Sequence, residues 1–350
     1  GHVVPAVAVA DELRARGAEV SFLGARGRLE ADLVPEAGYE IDLFDLAGID
    51  RKNPLRAAKA AAMAANAVPK VKKILEQRGA DVVMGGGGFV AGPAGLAARR
   101  LDIPLVLTEA DRHLGLANRM LARRADRVCL AFEIEGRSGE PYMVTGRPVP
   151  RAVLEADRGQ ARQRFGIAPD SQCLLVMGGS LGARSVNLSA MVAFAERPGR
   201  DFDVIHVSGR RDYADLVKRL GSATHSERYT LLEYEPNMGD CLAACDLVLA
   251  RSGGSVFELT ARGRPAVLVP YPHATGDHQT ANAEWMAEAG AAEVITDDDL
   301  SADLITESVN RILGDGATLE KMAAASLTLA RPDAAADIAE EVLKFAGKPK

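Results

Sequence analysis

Short apolar segments alternate with longer amphipathic segments along the whole chain, and this alternation constrains the fold more than any other feature. The segments predicted as strands in the first half are 19–23, 40–44, 81–84, 104–108 and 127–130. Those in the second half are 172–177, 203–207, 229–232, 247–250, 266–269 and 292–295. Segments with helical periodicity between them include 5–16, 54–78, 183–196 and 277–289. Apolar strands separated by helices are typical of parallel sheets covered on both faces, so we predict an α/β fold with doubly wound sheets.

The chain has 350 residues, more than a single hydrophobic core usually supports, so we expect two domains. Prolines and a glycine interrupt the pattern at residues 144–150, after which the alternation restarts. We predict an N-terminal domain of residues 1–146 and a C-terminal domain of residues 147–350, facing each other across a cleft. The last helix, 333–345, is expected to return to the first domain. Because the chain opens at Gly1 in a helical pattern, the first strand of this domain is expected to be missing.

Composition excludes several classes of protein. The net charge of −6 argues against a general nucleic-acid binder, which is normally basic, so we expect no nucleic-acid partner. The chain has four cysteines, too few for the disulfide framework of a secreted protein, and we expect buried thiols in a reducing compartment. An apolar run of about 18 residues, as a membrane-spanning helix requires, is absent from the sequence.

Glycine-rich loops follow three of the predicted strands. They are GGGGFVAGP at 85–93, GGSLGAR at 178–184 and RSGGSVFE at 251–258. Glycine lets the backbone approach a ligand closely, and the free N–H groups of a following helix bind anions. None of the loops matches the pattern GxxxxGK[ST], which argues against a kinase or ATPase of the P-loop type.

Side chains within these loops extend the predicted anion site. Ser180 and Ser255 offer hydroxyl groups to the same phosphate oxygens, and Glu258 lies one turn inside its helix, where a carboxylate can hold a ribose diol. A simpler interpretation is that tight strand-to-helix turns need small residues in any α/β protein. Three such loops, one of them with an acid, favour the functional interpretation.

A further segment, YPHATGDHQTAN at 271–282, follows a strand and opens a helix. Gln279 is expected to recognise hydroxyl groups there. A metal site of His273, Asp277 and His278 is the less favoured hypothesis, because residues in a loop supply no fixed ligand geometry. We therefore expect no metal.

Several motifs along the chain combine into a recognisable set. They are GHVVP at 1–5, EADLVP at 30–35, GGGGFVAGP at 85–93, GLANR at 115–119, GGSLGARSVN at 178–187, RSGGSVFE at 251–258 and DHQTAN at 277–282. With these motifs the chain resembles the MurG family, the bacterial transferases that add N-acetylglucosamine to lipid I to make lipid II. The resemblance covers essentially the whole chain.

The resemblance implies a GT-B fold, which consists of two doubly wound Rossmann-like domains, and an inverting transfer from UDP-N-acetylglucosamine without a metal or another cofactor. By position, the residues implied to bind the donor are Ser180, Gly253, Gly254 and Ser255 at the diphosphate, Glu258 at the ribose, Glu235 at uracil through its backbone, and Gln279 and Asp111 at the sugar. His2 and Glu109 are implied to be the catalytic residues facing the acceptor. The other residues implied on the acceptor side are Gly1, Gly87, Gly88, Phe89 and Asn118.

The chain departs from the family pattern beside the sugar and at the hinge. Asp111 stands where the family commonly has asparagine, so an amide donor is replaced by a carboxylate that only accepts. Pro150 stands where the family has arginine, for which Arg147 or Arg151 is expected to compensate. These changes bear on the sugar more than on the nucleotide.

Residues 51–75 contain seven basic side chains and no acidic one, with small apolar residues between them. Each Lys or Arg near an anionic lipid surface contributes about 1 kcal/mol of attraction. We expect Arg51, Lys52, Arg56 and Lys59 to face the anionic inner leaflet, which places the protein peripherally on the cytoplasmic side of the membrane beside an undecaprenyl-pyrophosphoryl lipid acceptor. The alternative is an ordinary solvated helix face.

Three other functions remain open on the sequence. The second-domain loops also occur in diacylglycerol glycosyltransferases of the galactolipid type, and the same architecture serves UDP-N-acetylglucosamine 2-epimerases. The changes at Asp111 and Pro150 also allow a UDP-sugar-binding protein without catalysis. The sequence leaves the catalytic base and the oligomeric state undetermined.

Overall fold

A computed structural model describes residues 2–46, 54–179, 182–197, 199–221, 225–226 and 228–347, without the side chains of residues 54, 56, 57, 225, 226 and 275. The chain divides into two compact units. Unit 1 comprises Gly1–Pro150 and Arg331–Lys350, and unit 2 comprises Arg151–Ala330. The division after Pro150 lies a few residues beyond the boundary drawn from the sequence pattern, and the C-terminal segment belongs to unit 1.

Unit 1 contains two parallel sheets. In the first, strand β1 (Ser21–Ala25) pairs with β2 (Glu40–Phe44). The second has the order β3-β4-β5-β6, and its strands are Val83–Gly85, Leu105–Glu109, Arg127–Leu130 and Tyr142–Val144. The sequence pattern did not predict β6, a strand of three residues whose Met143 and Val144 are exposed.

The helices of unit 1 cover these sheets. They are α1 (Val3–Ala15), α2 (Glu30–Glu36), α3 (Pro54–Arg78), α4 (Gly88–Arg100) and α5 (Leu116–Leu121), followed by a short 3-10 turn at Ala122–Arg124. Helix α4 packs closely on α5, since a Cβ placed on Gly95 would lie 2.5 Å from Leu121. The start of α4, at Gly88 within the first glycine-rich loop, therefore lies next to β3, the edge strand of this sheet.

Unit 2 is built on one seven-stranded sheet of order β13-β12-β11-β7-β8-β10-β9. Its strands are β7 (Cys173–Met177), β8 (Asp203–Val207), β9 (His225–Ser226), β10 (Tyr229–Leu232), β11 (Leu247–Ala250), β12 (Ala266–Leu268) and β13 (Ala292–Val294). All neighbours are parallel except the two-residue β9, which pairs antiparallel with β10 and was not predicted. The predicted α/β class with parallel sheets is confirmed.

Helices of unit 2 flank this sheet. They are α6 (Arg151–Glu155), α7 (Arg158–Phe165), α8 (Arg184–Phe194), α9 (Tyr213–Leu220), α10 (Met238–Ala244), α11 (Val256–Ala261), α12 (His278–Glu288), α13 (Ala302–Leu313) and α14 (Gly316–Thr328). Strands β7, β8 and β11 are buried along their whole length. This burial on both faces explains why β7 and β11 read as continuous apolar runs in the sequence.

The last helix, α15 (Ala334–Ala346), packs against α1 in unit 1. Its buried Glu341 accepts a hydrogen bond at 2.6 Å from Arg127 of β5, and Ile338 and Val342 join the apolar cluster that contains Val9. A buried carboxylate paired with arginine and apolar side chains one turn apart fix this helix on the first unit.

Strands β12, β11 and β7 lie side by side and end together. Ala250, the last residue of β11, is in register with Met177 of β7 and with Leu268 of β12. Because the strands are parallel, the loops that follow them emerge at one edge of the sheet. Two of the glycine-rich loops and the segment 271–282 therefore meet at this edge.

Candidate functional site

His2 lies against the first glycine-rich loop in unit 1. A Cβ placed on Gly87 would lie 3.1 Å from the imidazole Cε1, and one on Gly88 would lie 3.7 Å from Cδ2. Both glycines have positive φ angles, +85° and +70°, which side chains rarely adopt. The loop thus brings its bare backbone against the ring, and only glycine allows this approach.

The ring of His2 lines a small pocket with Pro5, Gly86, Thr108, Glu109, Gly146 and Arg147. His2 is exposed as a whole, but the pocket wall removes water from its ring. This partial desolvation lowers the pKa of His2 below 6.5, and the positive charge of Arg147 acts in the same direction. Asp111 and a hydrogen bond to the backbone of Gly86 oppose the shift without reversing it. The imidazole is therefore neutral at pH 7 and able to accept a proton.

Glu109, at the end of β4, is buried and fully engaged by the loop that follows it. Its Oε1 accepts from the backbone N–H groups of Ala110 (3.0 Å) and Asp111 (3.2 Å). Its Oε2 accepts from the N–H of Gly115 (2.7 Å) and from Nδ2 of Asn118 (2.9 Å). A carboxylate has about four acceptor positions, and all are used. Glu109 therefore shapes the loop 110–115 and the start of α5.

The other residues expected on the acceptor side are placed differently from one another. Asn118 is 1% exposed and donates to Thr108 O at 2.9 Å as well as to Glu109, so it ties the start of α5 to the end of β4. Phe89 packs partly into the core of unit 1, with the Arg28 guanidinium 5.5 Å from its ring centroid. Gly1 lies outside the described residues. The ligand contacts of all three remain predictions.

In unit 2, the loop after β7 folds back tightly on the start of α8. A Cβ on Gly178 would lie 2.4 Å from the backbone N of Ala183, and one on Gly182 would lie 2.2 Å from Ser208 O. Gly182 N–H donates to Gly179 O at 2.9 Å and closes the turn. Ser180 lies outside the described residues.

The loop after β11 leads directly into α11. The N–H groups of Val256, Phe257 and Glu258 donate to the carbonyls three residues before them, which form the first helical turn. Within the described part of the chain, the N–H groups of Gly253 and Gly254 have no backbone carbonyl partner. The Ser255 hydroxyl does not cap its own helix. This leaves donors at the helix start for an anion. Glu258 is half-buried in the same turn.

The segment that follows β12 is locked onto the β11 loop. The Ser252 hydroxyl donates to Gln279 O at 2.7 Å, and Asn282 Nδ2 donates to Ser252 O at 3.0 Å. Gln279 Oε1 accepts from the N–H of Tyr271 at 3.0 Å, while its Nε2 lies 3.9 Å from the Cβ position of Gly253. The structure thus brings Gln279 and Gly253 together, while their contacts with a sugar diphosphate remain a prediction.

Arg251 has an organising position that the sequence analysis missed. One of its terminal nitrogens donates to Val269 O (3.1 Å) and Pro270 O (3.0 Å). The other contacts Ser185 Oγ at 2.7 Å and Asp297 at 2.6 Å. Arg251 therefore ties the loop after β11 to the start of α8 and to the end of β12. The signal available in the sequence was its place as the first residue after a strand, before two glycines.

Glu235 follows β10 and is 4% exposed. Its Oε2 accepts from Arg164 at 2.6 Å, and its Oε1 accepts from the N–H of Asn237 at 2.8 Å. The carboxylate is therefore committed to the protein. This agrees with an expected role through the backbone, although the contact with uracil itself remains a prediction.

Among the described residues, no cluster of three or more His, Cys, Asp or Glu side chains is placed to hold a metal ion. The four cysteines are buried and unpaired with one another, as predicted. Burial raises the pKa of the Cys129 thiol to about 12 and that of Cys245 to about 11, so these thiols are unreactive at neutral pH.

The predicted membrane-facing residues are only partly described. Lys59 is exposed on α3, whereas Arg51, Lys52 and the side chain of Arg56 lie outside the described residues. Among those that are described, no helix is long and apolar enough to cross a membrane. A second basic surface, which the sequence analysis missed, comprises Arg119, Arg123, Arg124 and the 66% exposed Met120.

Comparison with family models matches both halves of the chain to one family. Residues 1–130 match the glycosyltransferase family 28 N-terminal domain, and residues 173–340 match the glycosyltransferase family 28 C-terminal domain. The first matched region contains the glycine-rich loop beside His2, and the second contains the two glycine-rich loops of unit 2.

Curated relatives are similar over almost their full length. One, from Methylococcus capsulatus, is 40% identical over 351 residues, covering 99% of this chain and 96% of the relative. Another, from Moorella thermoacetica, is 37% identical and covers 98% of this chain and 96% of the relative. Both are named UDP-N-acetylglucosamine–N-acetylmuramyl-(pentapeptide) pyrophosphoryl-undecaprenol N-acetylglucosamine transferase.

Solved structures share the fold. The crystal structure of Acinetobacter baumannii MurG is 29% identical, has a TM-score of 0.74, and covers 98% of this chain and 96% of its own. The UDP-N-acetylglucosamine 2-epimerase of Neisseria meningitidis, bound to UDP-N-acetylglucosamine, has a TM-score of 0.67 at 19% identity, with 98% of this chain and 97% of its own covered. The second likeness shows the fold alone.

Proposed function

This chain belongs to the MurG family of glycosyltransferases, and we propose that it transfers N-acetylglucosamine from UDP-N-acetylglucosamine to the N-acetylmuramyl hydroxyl of lipid I, giving lipid II for peptidoglycan synthesis. It is an enzyme of the hexosyltransferase class with the two Rossmann-like domains of the GT-B fold. The observation that carries the proposal is the meeting of two glycine-rich loops and Gln279 at one edge of the unit 2 sheet.

The donor is held, in this proposal, by the start of α11 and the loops beside it. The N–H groups of Gly253 and Gly254 and the hydroxyl of Ser255 bind the diphosphate, with Ser180 contributing from the loop after β7. Glu258 accepts from the ribose hydroxyls, and Gln279 binds sugar hydroxyls through Nε2. The support is that, among the described residues, the N–H groups of Gly253 and Gly254 have no backbone carbonyl partner before α11, while Arg251 holds the surrounding loops in place.

Leaving-group stabilisation comes from the same donors. Cleavage of the sugar–phosphate bond places negative charge on the UDP oxygen, and N–H groups at a helix start stabilise such charge without reorganisation. We propose that this replaces the divalent metal on which other transferases rely. The test is transfer in the presence of a chelator, which should leave the rate unchanged.

Proton abstraction is assigned to His2 rather than to Glu109. His2 is neutral at pH 7 and bonded to the Gly86 backbone through one nitrogen, which leaves its other nitrogen to accept the proton of the attacking hydroxyl. The acceptor positions of Glu109 are all occupied by protein donors. Attack on the face opposite UDP then inverts the anomeric configuration. Glu109 and Asn118 act by positioning the loop that carries Asp111.

We propose that the protein acts peripherally on the cytoplasmic face of the membrane, where its lipid acceptor lies. Lys59 is exposed on α3, and the exposed Arg119, Arg123 and Arg124 form a second basic surface around the exposed Met120. Attraction to anionic lipid should fall with salt. Vesicle binding that is the same with and without anionic lipid would contradict this assignment.

The experiment that tests the function is an acceptor comparison with radiolabelled UDP-N-acetylglucosamine. Lipid I, diacylglycerol and no acceptor are compared under identical conditions. Label is expected on lipid I alone. Label on diacylglycerol would favour a galactolipid-type transferase, free N-acetylmannosamine would favour an epimerase, and bound nucleotide without product would favour a binding protein. Each of these outcomes contradicts the proposal.

A further inference from the structure

Asp212, in the loop between β8 and α9, lies against the glycine-rich turn of unit 2 from the side. Its side chain is 2% exposed. A Cβ placed on Gly182 would lie 3.0 Å from Asp212 Oδ2 and 3.3 Å from Nδ2 of Asn187, which shows how closely both groups approach the turn. Gly182 itself has a φ of +81°. The conformation of the turn therefore depends on Asp212 and Asn187 as well as on its own glycines.

Asp212 directs its carboxylate away from its own helix. It is the N-cap residue of α9, a position where aspartate usually accepts from a helix N–H, yet it makes no such bond. Instead, Oδ2 accepts from Asn187 Nδ2 at 2.9 Å, and Arg211 donates to both oxygens at 3.0 and 3.1 Å. The Asp212 carboxylate therefore binds side chains beside the glycine turn and does not cap α9.

A buried polar chain fixes the Asn187 amide toward Asp212. Tyr229 OH lies 2.6 Å from Nδ1 of His206, whose Nε2 lies 3.0 Å from Asn187 Oδ1. Burial lowers the pKa of His206 to about 3, so this ring is neutral and carries one N–H. Asn187 Nδ2 faces two acceptors, Ser208 O at 2.8 Å and Asp212, so the amide has a single satisfactory orientation. The chain of donors thus ends on the Asp212 carboxylate.

Arg211 completes the arrangement from outside. Its Nη2 lies 3.4 Å from Gly182 O, while its Nε is held by Asp212. Arg184, in the first turn of α8, lies 3.5 Å from Asp212 and 3.0 Å from the exposed Asp215. Asp212 is therefore the shared acceptor of Asn187, whose Nδ2 lies beside Gly182, and of Arg211, which donates to Gly182 O.

We infer that Asp212 is a positioning residue for donor binding: through Asn187 and Arg211 it holds Gly182, at the end of the glycine-rich loop after β7, in the position that this loop needs to receive the diphosphate. This rests on the proposed function, since it concerns the same donor site. Asp212 does not itself touch the nucleotide. Its loss loosens the turn and lowers the affinity for UDP without altering the acceptor side or the chemical step.

The test compares Asp212→Ala and Asp212→Asn with Asp215→Ala in the full chain. Asp215 is the matched control, because it also pairs with Arg184 but is 66% exposed and does not contact the turn. The measurements are the Kd for UDP by calorimetry, KM for each substrate, and kcat. Asp212→Ala should weaken UDP binding about tenfold or more, as expected for the loss of charge-assisted hydrogen bonds. The Kd of Asp212→Asn for UDP should lie between those of Asp212→Ala and the wild type, because the amide keeps one acceptor oxygen.

A second control distinguishes a specific loss of UDP binding from a general loss of protein stability. Ile312→Val shortens a fully buried side chain of α13 and lowers the Tm without touching the turn. It should leave UDP affinity and both KM values unchanged. In Asp212→Ala, only the donor KM and the UDP Kd should rise, with the acceptor KM and kcat within about threefold of the wild type.

The possible results are distinct. UDP binding to Asp212→Ala that equals the wild type overturns the inference, as does an equal loss in Asp215→Ala. A fall in kcat with unchanged UDP affinity overturns it as well. If the wild-type chain binds UDP but transfers no sugar, the proposed transfer fails while the role of Asp212 in binding is still decided by the Kd values. If the wild-type chain does not bind UDP, both fail together.

Discussion

The imidazole of His2 lies on the bare backbone of Gly87, so close that a Cβ at residue 87 would be 3.1 Å from Cε1. The two residues are 85 positions apart in sequence, yet each fixes the other: the glycine leaves room for the ring, and the ring covers a turn that needs a positive φ. In our proposal, this contact holds the neutral imidazole of His2 where it can deprotonate an acceptor hydroxyl.

Replacing His2 by Gln should remove the proton acceptor while keeping a polar side chain of similar length. General-base assistance typically contributes about 10²–10⁴-fold to the rate, so kcat should fall by that amount. The Kd for UDP should stay unchanged, because the donor loops belong to unit 2. His113→Gln, which changes an exposed histidine of the same unit, is the control and should keep normal kcat. A His2 variant with near-normal kcat would exclude this residue as the base.

The pH dependence of kcat/KM should report the state of His2. Its lowered pKa keeps the ring neutral at pH 7, so activity should be constant around neutrality and decline as the pH falls below 6.5, when the imidazole becomes protonated. Asp111→Asn removes a charge that raises this pKa and should move the decline to lower pH. Arg147→Met removes a charge that lowers it and should move the decline to higher pH. Shifts in the same direction in both variants would refute the assignment.

Gly87→Ala and Gly92→Ala form a matched pair on the same loop and helix. The first adds a Cβ against the His2 ring at a residue with a φ of +85°. It should displace the ring and reduce kcat at least tenfold, with a loss of stability of about 1 kcal/mol. The second adds a Cβ that meets nothing within 4 Å inside α4, so it should be neutral or stabilising by up to about 1 kcal/mol. Equal effects on kcat would argue against the His2–Gly87 contact.

Glu258→Ala should weaken the donor side selectively. Loss of a carboxylate that accepts ribose hydroxyls costs about 1.5–3 kcal/mol, or roughly 10–150-fold in the Kd for UDP. Isothermal calorimetry measures this directly, and Glu284→Ala on the exposed face of α12 serves as the control. Unchanged UDP affinity in Glu258→Ala would show that the ribose lies elsewhere.

Much of the fold was readable from the sequence because the strands of unit 2 are buried on both faces. Buried parallel strands such as β7 and β11 appear as unbroken apolar runs, and their bounds were predicted to within a residue. Strands β6 and β9, of three and two residues, were not predicted. Their existence depends on neighbouring strands, which is information that a local pattern does not contain.

The site was predicted as a set of residue types, but the partners of those residues were not. The glycine loops, Gln279 and His2 were chosen from their spacing and from the family resemblance, whereas the roles of Arg251 and Asp212 depend on contacts across several loops. Glu109 illustrates the same limit. The family resemblance implied a catalytic role, whereas the four donors around its carboxylate support our proposal that it positions a loop.

The most direct test of the account is the anomeric configuration of the product formed from UDP-N-acetylglucosamine and lipid I. Proton NMR of the transferred sugar should show the large coupling of a β-linked anomeric proton, with one UDP released for each sugar transferred. This result is predicted because direct displacement of UDP by a hydroxyl group, without a covalent intermediate, inverts the α configuration of the donor sugar. An α-linked product, or UDP released without a new sugar on the lipid, would contradict the account.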